Sequence, residues 1–229
     1  MARTSMFAAG IALVCMAIFG LAAPAQDFDS RVAERAIDNN DPDQVDPNTI
    51  KGEKYNLDIR YDNPEPIIVL APNGEKQVYW YVVYTVTNNT GAERNFVPVF
   101  TLYSDSAAVR RAGVYPSVFD AIKKARKIRF LENAVQMIGK ILPGEDNART
   151  GVAIFEPLDR NTNTFKIFVE GLSGQFIERP NLAAKADAPA AEKVLRLRKT
   201  LVLDYKIPGD KWWLNLDQPI FVGKKWTWR

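Results

Sequence analysis

Trp212, Trp213, Trp226 and Trp228 crowd the last eighteen residues of the chain and make up four of its five tryptophans. Exposed indoles stack on the apolar faces of sugars and anchor protein interfaces, so this group is a candidate binding surface. Neighbouring residues of a strand point to opposite faces, so Trp212 and Trp213 cannot easily share one core. Packing of the tail over the rest of the fold accounts for the same residues. Three readings therefore stand for the tail: packing, a protein partner, or a glycan.

A second cluster is basic. Arg110, Arg111, Lys123, Lys124, Arg126, Lys127 and Arg129 fall within twenty residues, and Lys123, Lys124, Arg126 and Lys127 form its dense centre. Such a patch attracts anionic polymer, lipid head groups or an acidic protein, whereas a merely solvated helix face has the same composition. Asp58, Asp62, Glu65 and Asp204 are the carboxylates from which an acid/base pair could be drawn, but their spacing fixes no two of them across a substrate. Asn39, Asp41 and Asp43 place oxygen ligands at alternate positions. Gln44 stands where a calcium loop needs glycine and Ile50 where it needs the bidentate glutamate, so an acidic linker is the better reading. Asn88-Asn89-Thr90 matches a glycosylation sequon, and turn chemistry explains it equally well.

The missing residue types exclude more than these clusters suggest. The chain has no histidine and a single cysteine, Cys15. Histidine-dependent triads, histidine-ligated zinc and thiolate nucleophiles are thereby excluded, and no enzyme and no cofactor is expected. Thirty basic against twenty-seven acidic residues give a net charge of only +3, too balanced for a nucleic-acid binder.

The elements that must position these residues begin with an export leader. Arg3 precedes an apolar stretch from Met6 to Ala23, and Ala23-Pro24-Ala25 is the small-x-small pattern read by signal peptidase. Residues 1–25 are expected to be removed, which leaves Gln26 at the mature N-terminus and takes Cys15 away. The alternative is an uncleaved N-terminal anchor, the one route by which the sequence suggests membrane contact. Lack of disulfides then favours bacterial export to the periplasm or beyond. Residues 26–53 read as an acidic leader, with a short helix through Ile37 followed by a flexible tether containing Pro42 and Pro47.

From residue 54 to 229 the pattern is mainly β. Val78 to Thr87 is dense in β-branched and aromatic residues, and Trp80, Val82, Tyr84 and Val86 share one face, which predicts the central core strand. Asn95 to Leu102 reads as its antiparallel return, with Pro98 at an edge or bulge. Pro116, Val118, Ile122 and Ala125 recur at helical spacing and predict a short inserted helix. Ala134 to Leu142 reads as a strand, and 151–156 with 164–169 as a hairpin. Residues 178–192 read as an exposed loop. Leu195, Leu197, Leu201, Leu203 and Tyr205 share one parity, with Lys199 on the same side at a bulge or an edge. About seven strands with little helix predict an antiparallel sandwich, although a closed barrel satisfies the same count.

Tyr81 to Gly91, Leu142-Pro-Gly-Glu145, Gly151 to Phe155 and Phe165 to Val169 together resemble the extracellular immunoglobulin-like domains of bacterial lipoproteins and secreted proteins of unassigned function. The resemblance covers residues 55–206 and implies an immunoglobulin-like sandwich. It carries over no site residues, because the matching positions are turns and core. The expected role is a non-enzymatic interaction or structural module of the envelope, with an envelope protein or a glycan as partner. A carbohydrate-binding module using the terminal tryptophans is the alternative.

Overall fold

A computed structural model describes residues 44–70, 74–159, 162–185, 187–208 and 218–229. A 3-10 turn (Pro47–Thr49) precedes β1 (Lys51–Asn56), β2 (Asp58–Tyr61), β3 (Glu65–Leu70), β4 (Lys76–Asn88), β5 (Arg94–Phe96), β6 (Val99–Ser104) and β7 (Val109–Arg111). Helix α1 (Pro116–Arg126) follows, then β8 (Leu131–Glu132), β9 (Gly139–Ile141), β10 (Gly144–Phe155) and β11 (Thr164–Glu170). The described chain ends with β12 (Ser173–Pro180), β13 (Val194–Lys206) and β14 (Ile220–Trp228).

Two sheets face one another, and the protein is a mainly β sandwich rather than a closed barrel. The larger is organised on β13, which pairs antiparallel with β14 along one side. Its other side pairs with β11 and then β12, and these in turn carry β6 and β1. The register drops from Val169↔Leu201 to Phe176↔Arg198, so β11 and β12 act as one long strand broken by a bulge at 170–175. Gly171 makes that bulge possible. Its φ of +94° suits glycine, and a Cβ there would lie 2.4 Å from the Val97 carbonyl. The bulge lies opposite Lys199, which explains a lysine on the inward parity. Its ammonium donates to Gln175 and sits 5.1 Å over the Trp226 ring.

The smaller sheet is organised on β4, with β2 and β3 along one side and β10 along the other. The face expected for Trp80, Val82, Tyr84 and Val86 is as read: all four are buried and meet Phe100, Leu102, Phe165, Ile167 and Leu203 from the larger sheet. Tyr84 packs on Phe100 at 4.5 Å between ring centroids, and Phe165 stacks on Tyr205 at 5.3 Å. The opposite face of β4 is buried as well. Val118 and Ile122 of α1 cover Tyr81, Val83, Val152 and Ile154 to form a second core. The layers are therefore helix, sheet, sheet, and the near-continuous apolar run of β4 reflects burial on both faces.

Several pairings differ from the sequence expectation. Segments 151–156 and 164–169 form no hairpin: β10 joins the smaller sheet and β11 the larger one, because a core between the sheets needs both. Residues 95–102 do not return along β4 but split into β5, paired with β9, and β6, paired with β11. Ala134 to Met137 is a turn capped by Asn133, whose carboxamide oxygen accepts from Val135 and Gln136, so only 139–141 is strand. The first part of 178–192 extends β12. Among the described residues fourteen strands stand where about seven were expected, since bulges and sheet changes cut long runs into short pieces. β8 runs parallel to β10, so the sheet is not purely antiparallel. The tether expectation fails over its described part. Val45 is buried and β1 starts at Lys51, inside the span read as leader. Residues 1–43, with the export leader and the candidate calcium positions Asn39, Asp41 and Asp43, lie outside the described residues.

Candidate functional site

The terminal tryptophans divide. Trp226 stands opposite Leu201 and is partly buried against the core between the sheets. Trp228 stands opposite Lys199 and is 1% exposed. Val45, Ile50, Ile177 and Leu197 enclose it. The buried Trp228 offers no stacking face to a sugar, and Trp226 is partly covered, with the Lys199 ammonium 5.1 Å from its ring centroid. Trp212 and Trp213 lie outside the described residues. Arg229 ends the chain with its guanidinium 4.6 Å from the ring centroids of both Tyr103 and Phe168, and 3.9 Å from Glu170.

The basic cluster also divides. Arg126 is ion-paired with Asp62 and with Glu65, the latter at 2.6 Å, and ties α1 to β2 and β3. Glu65 also accepts from the Tyr81 hydroxyl at 2.5 Å. Burial first, and then that bond to Glu65, push the Tyr81 hydroxyl well above its ordinary pKa. Arg126 is thus a structural tie rather than part of a free patch. Arg110 lies 4.0 Å from Glu156 and donates to the Pro157 carbonyl. Lys123, Lys124 and Lys127 remain exposed on the outward side of α1, and Arg129 is exposed just beyond it. Pro116 at the first turn starts this helix, and Lys127, with φ of 53°, ends it in the left-handed conformation. The next residue after Arg129, Phe130, is 75% exposed, with the Arg129 guanidinium 5.1 Å from its ring centroid.

A third surface was not legible as a site. The open edge of the sandwich between β7 and the turn at 133–138 carries a cleft of about 190 Å³ with Tyr84, Phe100 and Ala153 among its lining residues. Val114, Val135 and Ile138 also line it, and are 44%, 63% and 52% exposed. Val97, equally exposed, lies one residue beyond the Phe96↔Gly139 pair, which sets it across from Ile138. Sequence pattern alone cannot show these residues as one rim, because they come from three separate segments.

The carboxylates do not assemble. Asp62 and Glu65 neutralise Arg126, Asp58 accepts from Asn89 at 2.7 Å, and Asp204 is on the other sheet, 3.7 Å from Lys166. Among the described residues no group of three acidic, histidine or cysteine side chains is placed to hold a metal ion. No helix among them is long and apolar enough to cross a membrane. Asn88 of the sequon is fully buried, and its amide donates to the carbonyls of Ala92 and Ile141 at 2.8 and 2.7 Å. Its oxygen accepts from the backbone and hydroxyl of Thr90, so the sequon is turn architecture and its amide is closed to a glycan. No protein-family model, curated protein or solved structure matches the chain, so its likeness to immunoglobulin-like domains rests on the sequence motifs alone.

Proposed function

We propose that this chain is an exported, non-enzymatic interaction module of the bacterial cell envelope whose partner is an envelope protein. The observation that carries this reading is the exposed apolar rim of Val114, Val135 and Ile138 around the edge cleft. Contiguous apolar surface is costly to leave in water, and on a folded protein it marks a place where another surface sits. The leader, with Ala23-Pro24-Ala25 after an apolar stretch, supports an envelope location for that partner. The carbohydrate-binding alternative gains nothing from Trp226 and Trp228, which pack inward.

A photo-crosslinking phenylalanine analogue at Val135, installed in the producing cell, tests the reading. The expected result is a discrete crosslinked envelope protein that is lost in an Ile138→Asp background, with the captured chain beginning at or near Gln26. A cytoplasmic chain that retains Met1, or crosslinking unchanged by Ile138→Asp, overturns it.

A further inference from the structure

We propose that the C-terminal end of α1, with Arg129 and Phe130, docks the protein peripherally on an anionic lipid surface. The inference rests on the envelope reading only in placing the chain beside a membrane, and it extends membrane contact beyond the N-terminal segment. Val118 and Ile122 fix the inward side of α1, so Asp120, Lys123, Lys124 and Lys127 face outward. Three cations against one carboxylate, with Arg129 adjoining, leave this surface strongly positive. The ion pairs that consume Arg126 and Arg110 do not extend to these four residues among the described ones.

Charge alone fits any polyanion. Phe130 separates the cases. A large ring left 75% exposed at the tip of a basic surface gains nothing from a soluble polyanion, but it can enter the boundary between head groups and acyl chains while the cations hold phosphate. Arg129, stacked on that ring, brings its charge to the same depth. The lysines at the end of α1 also complement the helix dipole, which keeps them in place without an acidic partner.

The test is co-sedimentation of the exported protein with vesicles of phosphatidylcholine alone and of equal parts phosphatidylcholine and phosphatidylglycerol. Binding is expected only to the anionic vesicles. Each neutralised cation should weaken it about fivefold, and Lys123→Gln, Lys124→Gln and Lys127→Asn together roughly a hundredfold. Asparagine is chosen at 127 because it tolerates the left-handed backbone. Phe130→Ser should weaken vesicle binding about fivefold to tenfold while leaving retention on soluble polyglutamate unchanged. Melting temperatures of all variants should stay within about 5 °C of the parent, since every substituted side chain is exposed and only the small helix-dipole contribution is lost. Charge-independent binding that is equal on both vesicles overturns the proposal and reports insertion of a retained leader. Binding to neither overturns it, and so does Phe130→Ser without effect, which would mark a soluble polyanion as the ligand. None of these results depends on the Val135 crosslink, so this proposal and the protein-partner reading fail separately.

Discussion

Replacing Asn88 by alanine removes four hydrogen bonds from a fully buried position. Two are donated to the carbonyls of Ala92 and Ile141, and two are accepted from Thr90. Ile141 is itself fully buried, so its carbonyl loses a donor where water cannot replace it, which costs about 1–3 kcal/mol. Ala92 is exposed and Thr90 partly so, and water restores part of what they lose. The expected total is about 2–4 kcal/mol, or a fall in Tm of roughly 5–12 °C for a domain of this size. Urea denaturation followed by tryptophan fluorescence measures it. Asn89→Ala, one residue away and exposed, is the control and should cost less than about 0.5 kcal/mol.

Asn88→Asp sharpens the test. A carboxylate there faces two carbonyls instead of donating to them, so its folded-state pKa is raised above that of the unfolded chain. The charge penalty is absent below the ordinary carboxylate range, where the acid still donates one of the two bonds, and it grows as pH rises through that range, so the deficit against the parent should widen from pH 4 to pH 7. A midpoint for Asn88→Ala indistinguishable from Asn89→Ala, or a pH-independent deficit for Asn88→Asp, would refute the argument.

Gly151→Ala places a methyl 2.7 Å from Met137 Cγ and 2.8 Å from the Tyr84 ring, and should cost about 1–3 kcal/mol in a chemical melt. Gly223→Ala, with open space around it, should leave the same melt unchanged. Trp228→Ala empties the site under Val45 and Ile177, and calorimetry should show a loss of about 3–5 kcal/mol. Burial pushes the hydroxyls of Tyr84 and Tyr205, as of Tyr81, well above the ordinary value. Their stabilisation is full below about pH 10 and is lost as pH rises beyond it. Tyrosinate absorbance should therefore appear in two phases, the second coincident with unfolding. A single non-cooperative titration of all eight tyrosines would count against this burial.

Alternation made the inner face of β4 and the parity of Leu201, Leu203 and Tyr205 legible, because a half-buried strand imprints period two on its sequence. Helical spacing marked α1 through Val118 and Ile122 for the same local reason. Pairing was not legible. Whether β10 meets β4 or β11 depends on residues far apart in sequence, and no short-range pattern records it. The second core stayed hidden because Tyr79, Tyr81 and Val83 look like ordinary strand residues until α1 is seen to cover them. Of the candidate surfaces, composition found the basic cluster but could not separate Arg126, consumed by Asp62 and Glu65, from the exposed lysines. The tryptophan tail was conspicuous by count, but count could not show that Trp228 is buried and Trp226 partly so. Phe130 carried no signal at all, since a single phenylalanine is ordinary until its exposure is known.

The contact of Val45 with Trp228 joins the two ends of the described chain in one small cluster. Such a closure spans nearly the whole sequence between them, so it forms late in folding, after the intervening sheets have paid the entropy of bringing the ends together. Interactions that form after the folding barrier slow unfolding rather than speed folding. The cluster should therefore act as a latch. Fraying of β14 must expose Trp228, and fraying of the segment before β1 must expose the same indole, so neither end can peel away without the cost borne by both. A single cysteine leaves this chain no internal disulfide to hold the two ends of the described residues, so its lifetime against unfolding is set by how seldom that latch opens.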